Sequence, residues 1–461
     1  MGDMVWRDVI EHRTVWFGAA LVAAATAMFT TVCLNAIIGG VVADPSVFTE
    51  PLGRSALLQT STNLLALSGG PAIVVLMTVL GTLVPQMREV HASWRLAGAS
   101  PGQVLRIFCQ QVILTSAVGA FAGALASLPL QGAANSFLGR GMAPGLTQPP
   151  GFLTVASILG SVLIVSIWGA VAALYPAWRA SRTSPLAGRV PEQQQKPTRL
   201  MVIVTLAFIV LIQLPLLVPL VALPALEADG GDGIVQGLVT LLPAGQALVI
   251  TIALLGHFVL ARFMGRWTRL PGLAQWTPWR IARHMAVTRA AESTAIVLPL
   301  MIGIGLFASF NIVGTAARNA AGPAGAHINL FDGVLMLAPI GLIGAVGSAS
   351  VAFMASRRRE RDVTALRIAG ASPEDSLAVF AYEAVIYVVT AVIAAAVPAL
   401  GTCGLMALAL TRWSIGLDLA NLELTGSIVV GAFGSVMTIG IMVGCAVVAW
   451  RRPLVTALTE G

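Results

Sequence analysis

Charge is scarce in this chain. Of 461 residues only 10% are charged while 57% are hydrophobic, whereas a soluble domain carries roughly a quarter of its residues as Asp, Glu, Lys or Arg. That deficit excludes a protein whose whole surface faces water. Lysine is almost missing, Lys196 being the only one. It is preceded by glutamines, so no glycine-rich phosphate loop ending in Gly-Lys-Ser/Thr exists, and the chain is not expected to hydrolyse ATP by itself. The four cysteines, Cys33, Cys109, Cys403 and Cys445, lack the paired short spacing of a zinc or redox centre. They read as small core hydrophobes, and no metal site is expected.

What is present is apolar length. Runs of about 20 residues, enough to cross a bilayer, recur near 15–38, 64–86, 104–130, 152–175, 201–223, 235–262, 294–316, 331–354, 376–401 and 425–449. The chain is therefore expected to be an all-α polytopic membrane protein with about ten transmembrane helices. With the N-terminus inside, every one of the 27 Lys and Arg residues lies on the cytoplasmic side except Arg54, Arg140, Arg318 and Arg412, as the retention of cations in the cytoplasm requires. An even number of spans puts both termini in the cytoplasm of a cell's plasma membrane. The net charge of +7 follows from this topology and from anionic lipid beside it, so no nucleic-acid partner is inferred. Asp3, Asp8 and Glu11 interrupt the N-terminal segment, which does not read as a cleavable signal.

One short phrase is written twice. Trp94 to Pro101 reads WRLAGASP, and Leu366 to Pro373 reads LRIAGASP. The same offset carries Phe108 onto Phe380 and Trp178-Arg179 onto Trp450-Arg451; Trp6-Arg7 pairs with Trp279-Arg280 one residue out of that register. These pairings divide the chain into a four-span unit over 1–190, a linker with two central spans over 191–270, and a second four-span unit over 271–461. Both units have the same membrane orientation, unlike the inverted repeats of many carriers.

Local chemistry gives each copy one grammar. In the second, Val363, Leu366 and Gly370 share one helical face, and Glu360, Thr364 and Arg367 share another. Gly370 suits the left-handed residue that ends the helix. Ser372 then offers an N-cap with Pro373 at the first helical position and Asp375 near the helix N-terminus. In the first copy Gly98, Ser100, Pro101 and Gln103 repeat the pattern, with a Ser-x-x-Gln capping box. The expected product is a stiff cytoplasmic handle set at a fixed angle to the span that follows it, one per half, and two matching handles suit a partner present as two similar subunits.

At these residues the chain resembles the FtsX-like permease family, the membrane subunits of mechanotransmission-type ABC transporters. Its cytoplasmic signature is matched by Arg359, Glu360, Arg361, Asp362, Val363, Ala365, Leu366, Arg367, Ala369, Gly370, Ala371 and Ser372, and a post-span motif by Pro176, Ala177, Trp178, Arg179, Ala180, Ser181, Arg182 and Pro185. The resemblance implies two family units in one chain, no cofactor held by the chain, and ABC ATP-binding subunits, two per permease, that bind ATP and Mg. It assigns ATPase coupling to Arg88, Glu89, Trp94, Arg95, Gly98, Ala99, Ser100 and Pro101 in the first copy. In the second copy it assigns Arg359, Glu360, Arg361, Leu366, Arg367, Gly370, Ala371, Ser372 and Pro373, with Trp178, Arg179, Arg182, Trp450 and Arg451 as the post-span landmarks.

Ten spans with two family units resemble the bacitracin-type peptide-resistance permeases, which implies an antimicrobial-resistance role, but the outer loops here are all short. The first copy also departs from the signature, reading Met87-Arg88-Glu89-Val90 where the second has Arg359-Glu360-Arg361-Asp362. The function expected is export of an amphiphilic, peptide or lipid-like substrate, with membrane lipid as a further contact and no substrate-binding residue assigned. A non-transporting mechanotransmission or regulatory subunit is the alternative, ahead of an ion-driven secondary transporter. "LSGG" at Leu67 to Gly70 imitates an ABC ATPase signature, but Pro71 and an apolar run follow, so it reads as a Gly-rich kink or a close helix contact. His257 and Glu383, ionisable groups inside spans, read as structural.

Overall fold

The computed structural model describes residues 2–48, 53–138, 151–182, 241–269, 276–321, 330–411 and 424–452, with short pieces between 203 and 218 and single positions at 416 and 422. The described residues are helical throughout, with no strand among them, as an apolar solvent demands when every backbone N–H and C=O must be satisfied within its own segment. The chain divides into two compact units, 1–191 and 192–461.

In the first unit α1 (Gly2–Glu11) leads into α2 (Arg13–Val42), followed by α3 (Gly53–Gln86), the short α4 (Arg88–Leu96), α5 (Pro101–Ser127), α6 (Gln131–Leu138) and α7 (Gly151–Ser181). Helices α2, α3, α5 and α7 pack on one another. Small residues decide how closely. Gly119 and Gly123 on α5 face the carbonyls of Ala20 and Ala24 on α2, where a Cβ would collide with the backbone, the close approach that glycines four apart permit in membranes. Two polar contacts cross the bundle: the Thr31 hydroxyl donates to Ser161 Oγ at 2.8 Å and Asn35 Nδ2 to Gln131 Oε1 at 2.9 Å. Leu67 to Gly70 lies inside α3, where Gly69 faces the Trp168 ring, so this glycine serves a close helix contact.

In the second unit α8 (Leu242–Trp267) precedes α9 (Thr277–Thr288), α10 (Ala290–Ala321), α11 (Leu330–Met354), α12 (Ser356–Ile368), α13 (Pro373–Thr411) and α14 (Thr425–Arg451). Helix α10 is the hub, packed against α8, α11, α13 and α14, and its apolar stretch is almost wholly covered. Gly344 of α11 lies against the Pro299 carbonyl and Gly303 of α10. The Ser348 and Thr438 hydroxyls meet at 3.0 Å between α11 and α14.

Among the described residues seven helices are long and apolar enough to cross a membrane, and an eighth if α8, bent by 79° between Leu242–Gly256 and Val259–Trp267, counts as one span. The protein is therefore an all-α polytopic membrane protein. Of the ten expected spans, the one at 331–354 coincides with α11, whose described side chains begin at Gly341. The one at 201–223 is described only in pieces, a π-helical turn over Ile209–Gln213 and a 3-10 turn over Pro215–Leu217. The second central segment, α8, packs on α10 and α13 inside the second unit. The side chain of His257, at the bend of α8, lies outside the described residues.

Candidate functional site

The handle of the first unit is α4 with the turn that follows. At its C-terminal end the Ala99 N–H reaches back to the Trp94 carbonyl at 2.9 Å and the Gly98 N–H to the Arg95 carbonyl at 3.2 Å. This pair of bonds closes a helix through a left-handed residue, and Gly98 has φ +94°. Arg95 Nη1 adds a bond to the Ala99 carbonyl at 2.9 Å. Ser100 then starts α5: its Oγ accepts from the Gln103 N–H at 3.3 Å while Gln103 Oε1 accepts from the Ser100 N–H at 2.7 Å, with Pro101 in the first turn.

The second handle, α12 and its turn, has the same backbone. Ala371 N–H bonds the Leu366 carbonyl and Gly370 N–H the Arg367 carbonyl, both at 3.0 Å, and Gly370 has φ +83°. Ser372 Oγ accepts from the Asp375 N–H at 3.1 Å and donates to Asp375 Oδ2 at 2.7 Å. Nothing lies within 4 Å of a Cβ built on either glycine, so backbone conformation alone, and not crowding, selects glycine at both places.

The two handles are anchored differently. In the first, His91 and Ala92 are buried. The His91 ring is fully covered, edge-on to Trp94 at 5.5 Å and to Phe108 at 5.9 Å between centroids. Neither ring nitrogen has a hydrogen-bond partner among the described residues. Burial pushes this imidazole down to about 4, so it is neutral at physiological pH. In the second handle Val363 takes that position and packs with Phe380, Ala446 and Ala449, flanked by Leu366 and Trp450.

Charged contacts surround this apolar seat in the second unit. Arg289, between α9 and α10, grips Asp362 through two bonds at 2.5 and 2.6 Å, and the bonded carboxylate holds its guanidinium above the ordinary arginine range. Arg452 reaches Glu360 at 3.0 Å. Arg367 donates to the Arg452 carbonyl at 2.8 Å and stands 4.8 Å over the Trp450 ring. The post-span motif of the first unit uses its own cation instead, with Arg182 4.2 Å over Trp178 and Trp178 stacked on Tyr175; Pro185 lies outside the described residues.

Of the residues singled out from sequence, the first handle brings together Arg88, Trp94, Arg95, Gly98, Ala99, Ser100 and Pro101, with Glu89 exposed on α4. The second brings together Arg359, Glu360, Leu366, Arg367, Gly370, Ala371, Ser372 and Pro373 with Trp450, while Arg361 and Arg451 are exposed. Four residues were missed. Leu96 and Ile368 hold the position two before each glycine and are 69% and 65% exposed, a bare aliphatic side chain at the tip of each handle. The signal for them was their correspondence across the repeated phrase. Arg289 and His91 were also missed, since neither lies in a repeated motif.

Comparison with known families matches residues 62–185 to the FtsX-like permease C-terminal domain. The match runs from α3 through the first handle to the post-span motif of α7. No curated protein and no solved structure matches the chain. FtsX-like permeases are membrane subunits of ABC systems whose ATPase is a separate subunit. Through residues 62–185, this multi-pass membrane protein carries a domain of the FtsX-like permease family.

Proposed function

We propose that the chain is the permease subunit of an ABC exporter in which each handle seats on a separate ATP-binding subunit. In this reading 1–190 and 271–461 are two family units in parallel orientation, 191–270 links them, and both termini face the cytoplasm of the plasma membrane. ATP and Mg are bound by the partner subunits, two per permease. Their closure turns the handles, and the capped joints at Ser100 and Ser372 pass that motion to α5 and α13. The cargo is an amphiphilic, peptide or lipid-like molecule taken from the membrane.

The observation that carries this reading is the pair of exposed tips, Leu96 and Ile368, held on identical glycine-ended turns. An aliphatic side chain left this bare on a polar helix is a knob for a partner's socket, and burying each contributes roughly 1.5–3 kcal/mol to docking. The test is co-purification with an ABC ATP-binding subunit co-expressed with the chain. Leu96→Asp combined with Ile368→Asp is expected to abolish the complex, and each single change to weaken it. An unchanged complex in the double variant refutes the reading.

A further inference from the structure

The end of the second unit that carries the handle concentrates arginine without acid. Between Asp232 and Glu292 the chain has six arginines and no Asp or Glu. Two of the six are engaged. Arg289 bonds Asp362, and Arg283 donates to Thr268 Oγ1 at 3.1 Å and to the Gly265 carbonyl at 3.3 Å, tying α9 to the end of α8. Arg266, Arg269 and Arg280 are exposed, and their side chains have neither a hydrogen bond nor an ion pair among the described residues. The lead-in helix of the first unit is built otherwise, since α1 sets Asp3, Asp8 and Glu11 beside Arg7.

The 79° bend within α8 turns Val259–Trp267 away from Leu242–Gly256. With the first part crossing the bilayer, the second runs close to the membrane plane. On it Val259, Arg262, Arg266 and Arg269 follow one another at helical spacing along one face, and all four are exposed. Aromatic rings mark the depth. Trp267 donates Nε1 to Thr390 Oγ1 at 3.0 Å, Trp279 lies edge-on to Trp267 at 6.4 Å and to Tyr382 at 5.9 Å, and Trp276 stands 57% exposed beside Tyr382. Trp and Tyr gather where headgroups meet hydrocarbon. Trp279 Nε1 also donates to the Thr268 carbonyl at 3.4 Å, which brings Arg280, next in sequence, to the end of α8 that holds Arg266 and Arg269.

We propose that this arginine face binds the phosphodiester headgroup of an anionic lipid from the leaflet on the handle's side. Arg266, Arg269 and Arg280 supply forked donors and charge that suit a phosphate. Val259, 55% exposed, and Trp276 supply apolar surface for the acyl chains. A soluble phosphate has no use for that apolar edge, and for this reason the occupant is a lipid. Its headgroup neutralises three like charges that the fold leaves without a counter-ion. The inference concerns the second unit by itself and stands whichever partner the handles take.

The full chain in detergent, titrated with phosphatidylglycerol and followed by native mass spectrometry, tests it. Arg266→Gln with Arg280→Gln is compared with Arg13→Gln and Arg106→Gln, which remove two exposed arginines from the first unit. An arginine at a lipid surface contributes about fivefold in affinity, so the first pair is expected to weaken binding by about thirtyfold and the second by less than about threefold. Arg266→Lys with Arg280→Lys, which keeps the charge, is expected to retain most of the binding. A second measurement needs no variant: in nanodiscs of phosphatidylglycerol, amide exchange of the parent chain over 262–269 should be slower than in phosphatidylcholine, with 2–11 unchanged. The site is overturned if the two Gln pairs weaken binding alike, if phosphatidylcholine binds as well as phosphatidylglycerol, or if the nanodisc lipid leaves exchange over 262–269 unaltered. Equal slowing by inorganic phosphate in phosphatidylcholine nanodiscs overturns the lipid as occupant. Slowing that needs a co-purified ATP-binding subunit, and that phosphatidylglycerol does not give, assigns the face to that protein and overturns the proposal.

Discussion

Acidification should weaken the first unit through His91. The folded imidazole titrates at about 4 against 6.5 for a solvated one. Between those values the unfolded chain binds a proton that the folded chain refuses, so stability rises with pH across this window and is flat above it. Each pH unit is worth about 1.4 kcal/mol, so the window from 6.5 down to about 4 removes about 3 kcal/mol in full. Burial alone causes the shift. His91→Val, which installs the residue found at position 363, should therefore remove this dependence without disturbing other titrating groups. The assay is denaturant unfolding in nanodiscs, followed by tryptophan emission from pH 8 to pH 4.5, for the parent chain and the variant. Their difference isolates His91: it should stay constant above pH 6.5 and widen by about 1.4 kcal/mol per unit below it. Parallel curves over the whole range would refute the placement of this ring.

Three further outcomes follow from local geometry. Gly123→Val drives a branched side chain into the Ala24 carbonyl and should cost about 3 kcal/mol or more by forcing α2 and α5 apart, read as a lowered thermal midpoint. Gly98→Val and Gly370→Val meet no neighbour but must hold a left-handed conformation; each should cost about 1–2 kcal/mol and speed exchange in the adjoining turn, with Asn in the same places restoring most of the loss. Ser100→Ala removes the capping bond to Gln103, at about 1 kcal/mol, and should speed amide exchange at residues 101–104 alone.

The local form of both handles was legible in the sequence because it depends on near neighbours. A glycine at the helix end, a serine two residues later and a proline after it define the turn with no help from the rest of the chain, and Gly98, Gly370 and both serine caps sit as that pattern requires. The helical, many-span character followed from apolar length alone. Long-range contacts were not legible. Arg289 and Asp362 are 73 residues apart, and no periodicity connects the end of a lead-in helix to the middle of a handle. Glu383 read as a lone acid, although Tyr387, one turn further along its own helix, donates a hydrogen bond to it. His91 lies one helical turn before Arg95 inside a polar-looking segment, so its burial depends on Phe108 rising from the next helix. The 79° bend of α8 falls in a run whose hydropathy gives no sign of a break.

The emptiness around Gly98 and Gly370 separates aim from grip. Because a Cβ built at either glycine meets nothing within 4 Å, the direction in which each tip points is set by left-handed peptide geometry and not by crowding at the joint. The exposed positions of the two helices are then free to drift, as Glu89 and Arg361, which occupy matching places, already have. Descendants of such a chain can change which surface they fit, residue by residue, while presenting it at an inherited angle.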